Sequence, residues 1–242
     1  MSEKLWNLLR DLLLEGIFPA TCQGCQLPGK WLCDRCLQEL PLMPEDQPEP
    51  PNGAERTLTF GWYRNPVWRK LLTALKYQSA FCLEQSFVDI VKRVRRERKA
   101  PWPWAGEETM RVMAIPSDPQ RIRVRGLDHT QFLARLIRQH LIPWAEPSVS
   151  LKRQRATQRH ANLPPDQRRV MSVRGAFVCL EPITSPVLLV DDILTTGATL
   201  EEAIRILKAS GCPRVYVVTF ARSLSSLRTD PTSIQHSLLA KI

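Results

Sequence analysis

Val187-Leu188-Leu189-Val190 is an unbroken run of branched apolar residues, and Asp191 and Asp192 stand directly behind it. Such a run reads as a buried parallel strand whose carboxyl end carries a site. Leu200, Ala203, Ile204 and Leu207 then recur at helical spacing, and Thr199 with Glu202 forms a capping box. A helix is therefore predicted to begin at Thr199 and to close at Gly211. Residues 111–116 predict another short buried strand, residues 56–64 have strand character, and residues 214–220 predict a final parallel strand. Residues 67–77, 83–99 and 128–140 read as helices, the second with Phe87, Ile90, Val91 and Val94 inward. Leu5, Trp6, Leu8, Leu9, Leu12, Leu13 and Ile17 make one apolar face of an N-terminal helix that ends at Pro19. Its polar face is not strongly basic, which favours docking onto the body or a partner over a membrane surface.

The chain has 242 residues, enough for one α/β domain with a small attachment at roughly 100–200 residues per domain. No uncharged apolar run reaches the roughly 18 residues of a membrane span, and the first residues lack the pattern of a signal peptide. A cytoplasmic protein that is not integral to a membrane is expected. Residues 41–55 hold Pro41, Pro44, Pro48, Pro50 and Pro51 among acidic residues and read as an extended linker. The expected organisation is an N-terminal helix and cysteine module over residues 1–40 and the linker over 41–55. The main domain follows over 56–222, and a polar tail over 223–242.

The formal net charge is +10 and the sequence pI near 9.6, which favours polyanionic partners, nucleic acid or phosphorylated metabolites alike. Lys92, Arg93, Arg95, Arg96, Arg98 and Lys99 are expected on the outward face of their helix, either as a solvated face or as a nucleic-acid surface. Trp102 and Trp104 are the nearest aromatics for stacking bases.

Cys22-x2-Cys25 and Cys33-x2-Cys36 are two knuckles separated by seven residues, and each directs two thiolates at one tetrahedral ion. A closed, structural Zn²⁺ site follows. Disulfides and a redox Cys-x-x-Cys pair are the other readings of the same residues. Cys82, Cys179 and Cys212 lie in apolar surroundings and read as buried small hydrophobes.

Between the central strand and its helix, Thr195, Thr196, Gly197, Ala198 and Thr199 place backbone N–H groups and hydroxyls at a helix N-terminus, which suits a phosphate. Asp191 and Asp192 are positioned to accept hydrogen bonds from sugar hydroxyls or to help hold a hydrated cation. Arg121, Arg123 and Arg125, in a loop after the strand 111–116, suit a pyrophosphate. The segment 187–199 resembles the phosphoribosyl-pyrophosphate (PRPP) binding motif of type I phosphoribosyltransferases, in which acids meet the ribose hydroxyls and the loop cradles the 5′-phosphate. The chain as a whole resembles the ComF/GntX family, which joins a four-Cys module to a phosphoribosyltransferase-like domain. The matching residues are Leu75-Lys76-Tyr77, Ile115-Pro116, Arg125-Gly126-Leu127 with Leu133-Ala134, then Leu163, Arg168 and Gly175-Ala176-Phe177. Asp128, His129, His160 and Met171 depart from the family pattern.

The resemblance implies an α/β fold, a phosphoribosyltransferase-like mostly parallel sheet flanked by helices, preceded by a small zinc-binding module. It implies an accessory factor in DNA uptake, with PRPP and Mg²⁺ as ligands and single-stranded DNA and a helicase-like uptake protein as partners. The alternative is an active phosphoribosyltransferase passing phosphoribose from PRPP to a nitrogenous acceptor. Residues 154–173 would be a flap in such an enzyme. His129 and His160 are assigned no catalytic role, and homodimerisation stays open.

Overall fold

The computed structural model describes residues 20–44, 49–77, 80–99, 101–154 and 173–223. The expected N-terminal helix, the flap with His160 and Met171, and the polar tail lie outside the described residues. A five-stranded sheet forms the body: β1 (Arg56–Trp62), β2 (Arg111–Ala114), β3 (Glu146–Pro147), β6 (Val187–Leu194) and β7 (Val215–Arg222), in the order β1-β7-β6-β2-β3. Every neighbouring pair in it is parallel. Leu151–Arg153 (β4) and Phe177–Cys179 (β5) form a separate antiparallel ribbon.

Val187, Leu188, Leu189 and Val190 are completely buried, as an apolar run flanked by β2 and β7 requires. Their alternation divides the core. Leu188 and Val190 join one apolar cluster while Val187 and Leu189 join the other. Helices Pro66–Tyr77 (α2), Ala80–Glu97 (α3) and His129–His140 (α5) pack on the first face, where Phe60, Phe87 and Phe220 meet edge to face. Helix Ala198–Ala209 (α6) covers the second with Leu200, Ala203, Ile204 and Leu207, the stripe expected from its periodicity.

Local starts and stops differ from the expected ones in instructive ways. Gly197, at φ 85°, caps α6, so the helix starts at Ala198 and the Thr199–Glu202 capping box does not form. Glu202 is instead turned inward, accepting from the Gly175 N–H at 2.6 Å and pairing with Arg205 at 2.9 Å. The basic loop after β2 is a short helix, Pro119–Arg125 (α4), capped by Asp118 and ended by left-handed Gly126. Asp191 and Asp192 still belong to β6 rather than to the turn after it.

The proline-rich segment does not hold the cysteine module apart from the body. Met43 N–H donates to the Phe60 carbonyl at 2.7 Å, and Trp68 Nε1 donates to the Pro41 carbonyl at 2.9 Å. Arg222 donates to the Glu49 carbonyl at 2.9 Å. Cys22, Leu32, Cys36 and Leu40, around the short helix Asp34–Glu39 (α1), share one apolar cluster with Trp68, Leu71 and Phe87. Arg93 was expected to face outward and is buried, donating to the carbonyls of Leu37 and Leu40. A guanidinium with several fixed donors adds a partner to the carbonyls at the end of α1, where that of Leu37 also accepts from the Leu40 N–H at 3.4 Å.

Candidate functional site

A cleft of about 280 Å³ opens at the carboxyl ends of β2 and β6. These two strands are neighbours, yet β2 leads through α5 to β3 on one side and β6 leads through α6 to β7 on the other. Such a divergence leaves a crevice between the departing loops, where open α/β sheets bind ligands. The lining comes from five places: Asp191 and Asp192 in β6 with Thr195 and Thr199 beyond it; Ser117, Asp118, Arg121 and Arg125 around α4; His129 and Thr130 at the start of α5; Lys76 in α2; and Arg153 in β4.

Of the residues predicted from sequence, Asp191, Asp192, Thr195, Thr199, Arg121 and Arg125 are brought together here. Thr196, Gly197 and Ala198 form the turn and helix start beside them without lining the cleft, and Arg123 lies outside its lining. Lys76, Ser117, Asp118, His129, Thr130 and Arg153 were not foreseen as site residues. His129, assigned no catalytic role from sequence, is buried, with Nε2 3.4 Å from Asp192 Oδ2.

β2 runs out opposite Val190 while β7 stays paired with β6 as far as Leu194, and beyond Val190 the aspartate side chains take up backbone N–H groups. The Asp192 N–H donates to Asp191 Oδ1 at 2.9 Å, and the Ile193 N–H donates to Asp192 Oδ1 at 2.8 Å. Asp192 continues the face of Leu188 and Val190, so its carboxylate lies under the end of α2 and the start of α5. There Lys76 Nζ approaches Asp192 Oδ2 to 2.5 Å. Burial opposes ionisation of Asp192, but the facing His129 and the Lys76 charge outweigh it and hold this carboxyl well below the usual carboxylate range. Asp191 moves the other way, raised by burial and then by the neighbouring Asp192 charge. The pair therefore divides its work: Asp192 is the anion, and Asp191 resists becoming a second one.

Asp128 stands at the N-cap of α5. Its Oδ1 accepts from the Thr130 N–H at 3.1 Å and from Ser117 Oγ at 2.9 Å, capping α5 and tying it to the loop after β2. Thr130 Oγ1 completes the tie by donating to the Ile115 carbonyl at 2.8 Å. Across the cleft, Arg153 is shifted downward by burial and by Arg121, against the pull of Asp118 and Asp191. Lys76, Arg121, Arg125 and Arg153 beside a helix N-terminus give the cleft a chemistry that suits an anion.

The second predicted site also assembles. The sulfur atoms of Cys22, Cys25, Cys33 and Cys36 all lie within 4.8 Å of one another. Cys22 Sγ accepts from the Cys33 N–H at 3.4 Å, and Gly24 has no room for a side chain, since a Cβ would lie 2.6 Å from Cys36 Sγ. Burial and then hydrogen bonds with the other cysteines push the Cys36 thiol up to about 12, whereas backbone N–H groups outweigh burial and draw Cys22 down to about 6. Such a set cannot all be thiolate without a cation among the sulfurs, so the cluster suits a metal such as zinc. Cys212 is buried as expected, and Cys82 and Cys179 are half-buried.

Comparison with known proteins agrees with this architecture. Residues 130–234 match the Phosphoribosyl transferase domain family, so the chain carries a phosphoribosyl transferase domain. It is homologous to DNA utilization protein YhgH of Salmonella typhi, 26% identical over 212 residues and covering 84% of each chain. YhgH of Escherichia coli K12 matches equally, 26% over the same length and coverage. Competence protein F of Haemophilus influenzae is 26% identical over 216 residues, 84% of this chain and 90% of that one. The resemblance to the ComF family thus extends over most of the chain. Among the described residues, no helix is long and apolar enough to cross a membrane.

Proposed function

We propose that this protein binds PRPP with Mg²⁺ in the cleft between β2 and β6 and serves as an accessory factor in DNA uptake on the cytoplasmic side. The observation that carries the ligand is the convergence of ribose-directed acids, a hydroxyl-bearing helix start and several arginines at adjacent strand ends. Thr195, Thr199 and the first turn of α6 receive the 5′-phosphate. Asp191 and Asp192 accept from the ribose hydroxyls, and Arg121, Arg125 and Arg153 face the pyrophosphate. Mg²⁺, when bound, neutralises and orients pyrophosphate oxygens, as suits a hard cation held largely by its ligand's oxygens. The role in DNA uptake rests on the homologues named for competence and DNA utilization. Cys22, Cys25, Cys33 and Cys36 hold one structural Zn²⁺.

Calorimetric titration with PRPP, with and without Mg²⁺, tests the ligand. Heat that requires Mg²⁺ and is weakened in Asp191→Asn with Asp192→Asn is the expected result; no heat, or equal binding by the variant, sinks the reading. Pyrophosphate release with a panel of nucleobases then separates the classes. Such a reaction passes the ribose C1 from pyrophosphate to a ring nitrogen, needing positioning and charge stabilisation more than covalent help. Release with any base makes the protein a transferase; binding without release leaves a ligand-sensing uptake factor.

A further inference from the structure

Lys76, His129 and Asp192 come from three elements far apart in sequence and meet on one carboxylate oxygen. Asp192 Oδ1 accepts from the Ile193 N–H, while Oδ2 faces both Lys76 Nζ at 2.5 Å and His129 Nε2 at 3.4 Å. His129 Nδ1 is buried without a hydrogen-bond partner, which assigns the ring hydrogen to the nitrogen that faces Asp192. Oδ1 of Asp192 is thus hydrogen-bonded, while Oδ2 makes no hydrogen bond and is held by the Lys76 ion pair, so a sugar hydroxyl can be accepted at Oδ2 only if the ammonium gives way.

Lys76 is placed to do so. Its side chain is 24% exposed and lines the cleft, so a rotation keeps it inside. It stands in the last turn of α2 and lines the same cleft as Asp191, Asp192 and the α4 residues Arg121 and Arg125. A flexible four-carbon stem carrying a compact charge moves without backbone change, whereas His129 is fixed by the first turn of α5.

Resting on the phosphoribosyl reading above, we propose that Lys76 is a cation shared between Asp192 and the ligand's pyrophosphate. It leaves Asp192 when the anion enters and so frees Oδ2 for a ribose hydroxyl, while His129 keeps the carboxylate oriented. Lys76 is then a ligand-binding residue and His129 a positioning residue, and the chain couples recognition of the pyrophosphate to exposure of its ribose site.

The two roles separate on ligands that differ only in pyrophosphate. With Mg²⁺ present, titrations of PRPP and of ribose 5-phosphate are compared for the full chain and for Lys76→Met, Lys76→Arg and His129→Gln. Lys76→Met is expected to lose about tenfold or more in PRPP affinity, with ribose 5-phosphate changed by no more than about twofold. Lys76→Arg recovers most of the loss, and His129→Gln weakens both ligands alike. Where melting curves show that Lys76→Met disturbs folding, Lys76→Gln must give the same selective loss. Equal losses for both ligands in the Lys76 variants, or none for PRPP, overturn the shared-cation assignment alone. If the unaltered protein binds neither ligand, the phosphoribosyl reading falls, and this assignment with it.

Discussion

At Asp191 the needs of stability and of ligand binding oppose each other. Its carboxyl is raised by burial and by the Asp192 charge, so ionisation is costlier in the folded protein than in the unfolded chain. For a raised folded pKa the contribution to stability is fully present below the unfolded pKa and is lost as pH rises through the folded one. Near neutral pH the residue is therefore a liability to the fold. Asp191→Asn keeps an acceptor for the Asp192 N–H without the charge, and is expected to stabilise the protein at pH 7 by about 1 kcal/mol. The gain should shrink as pH is lowered toward about 4, where the carboxyl of the unfolded chain is protonated as well and the two states no longer differ, and thermal melting across that range measures it. Destabilisation at pH 7, or a gain that grows in acid, contradicts the assignment. Asp192 has the reverse sign: its depressed pKa stabilises above the unfolded value, and that contribution is lost as pH falls through the folded one.

Among elements, the strand β6 and the helix after it were the most legible in sequence, because an uninterrupted apolar run and a 3.6-residue stripe each admit one burial pattern. The cysteine cluster was legible from two Cys-x2-Cys knuckles close in sequence, a spacing that suits one tetrahedral ion but also admits disulfides, and the parallel sheet from buried apolar runs together with the resemblance. Lys76 and His129 were not, because their meeting on Asp192 depends on which face of β6 the ends of α2 and α5 cover. No periodicity within one segment carries that information. The missed start of α6 has a narrower cause. Thr199 and Glu202 have capping-box spacing, but Gly197 adopts a left-handed conformation that begins the helix earlier, and Glu202 finds Gly175 and Arg205 instead. That conformation makes a prediction. A Cβ on Gly197 would come no nearer than 3.5 Å to a neighbouring atom, so Gly197→Val acts through backbone strain rather than collision. A β-branched residue at positive φ costs about 1–3 kcal/mol. A fall in melting temperature of that order, with weakened PRPP binding, is expected; unchanged melting would mean the turn relaxes freely. By contrast Leu188→Ala, at a completely buried position of β6, should cost about 3 kcal/mol from the cavity it leaves while its neighbours hold their places.

Over the whole molecule, surplus positive charge and the seating of the cysteine module decide what surfaces remain for partners. Trp104 is buried and stacked on Trp102 at 5.5 Å, and Arg98 lies over Trp102, so this pair is occupied within the fold rather than presented to bases. Arg93 belongs to the module's seat, whereas Lys92, Arg95 and Arg96 are exposed. Single-stranded DNA binding, if carried by α3, should therefore be weak, salt-sensitive and lowered by Arg95→Ala with Arg96→Ala at unchanged melting temperature. Arg93→Ala should instead lower the melting temperature, and binding that ignores added salt would remove the electrostatic account. The same seating bears on the metal. If the proline-rich segment were a free tether, extracting zinc would leave the rest of the fold untouched. Instead Cys22 and Cys36 share an apolar cluster with Trp68 and Phe87, and the carbonyls after α1 are held by Arg93 of α3. A metal that binds only the folded module contributes its binding free energy to that packed unit. Chelation, or Cys22→Ser with Cys25→Ser, should release about one zinc per chain and lower the melting temperature of the main transition. Gly24→Ala should do so in milder form, because its Cβ would force Cys36 Sγ out of position. Metal analysis and calorimetric melting of the full chain read both effects. A main transition that stays in place while zinc is lost would show that module and body fold independently despite their shared core.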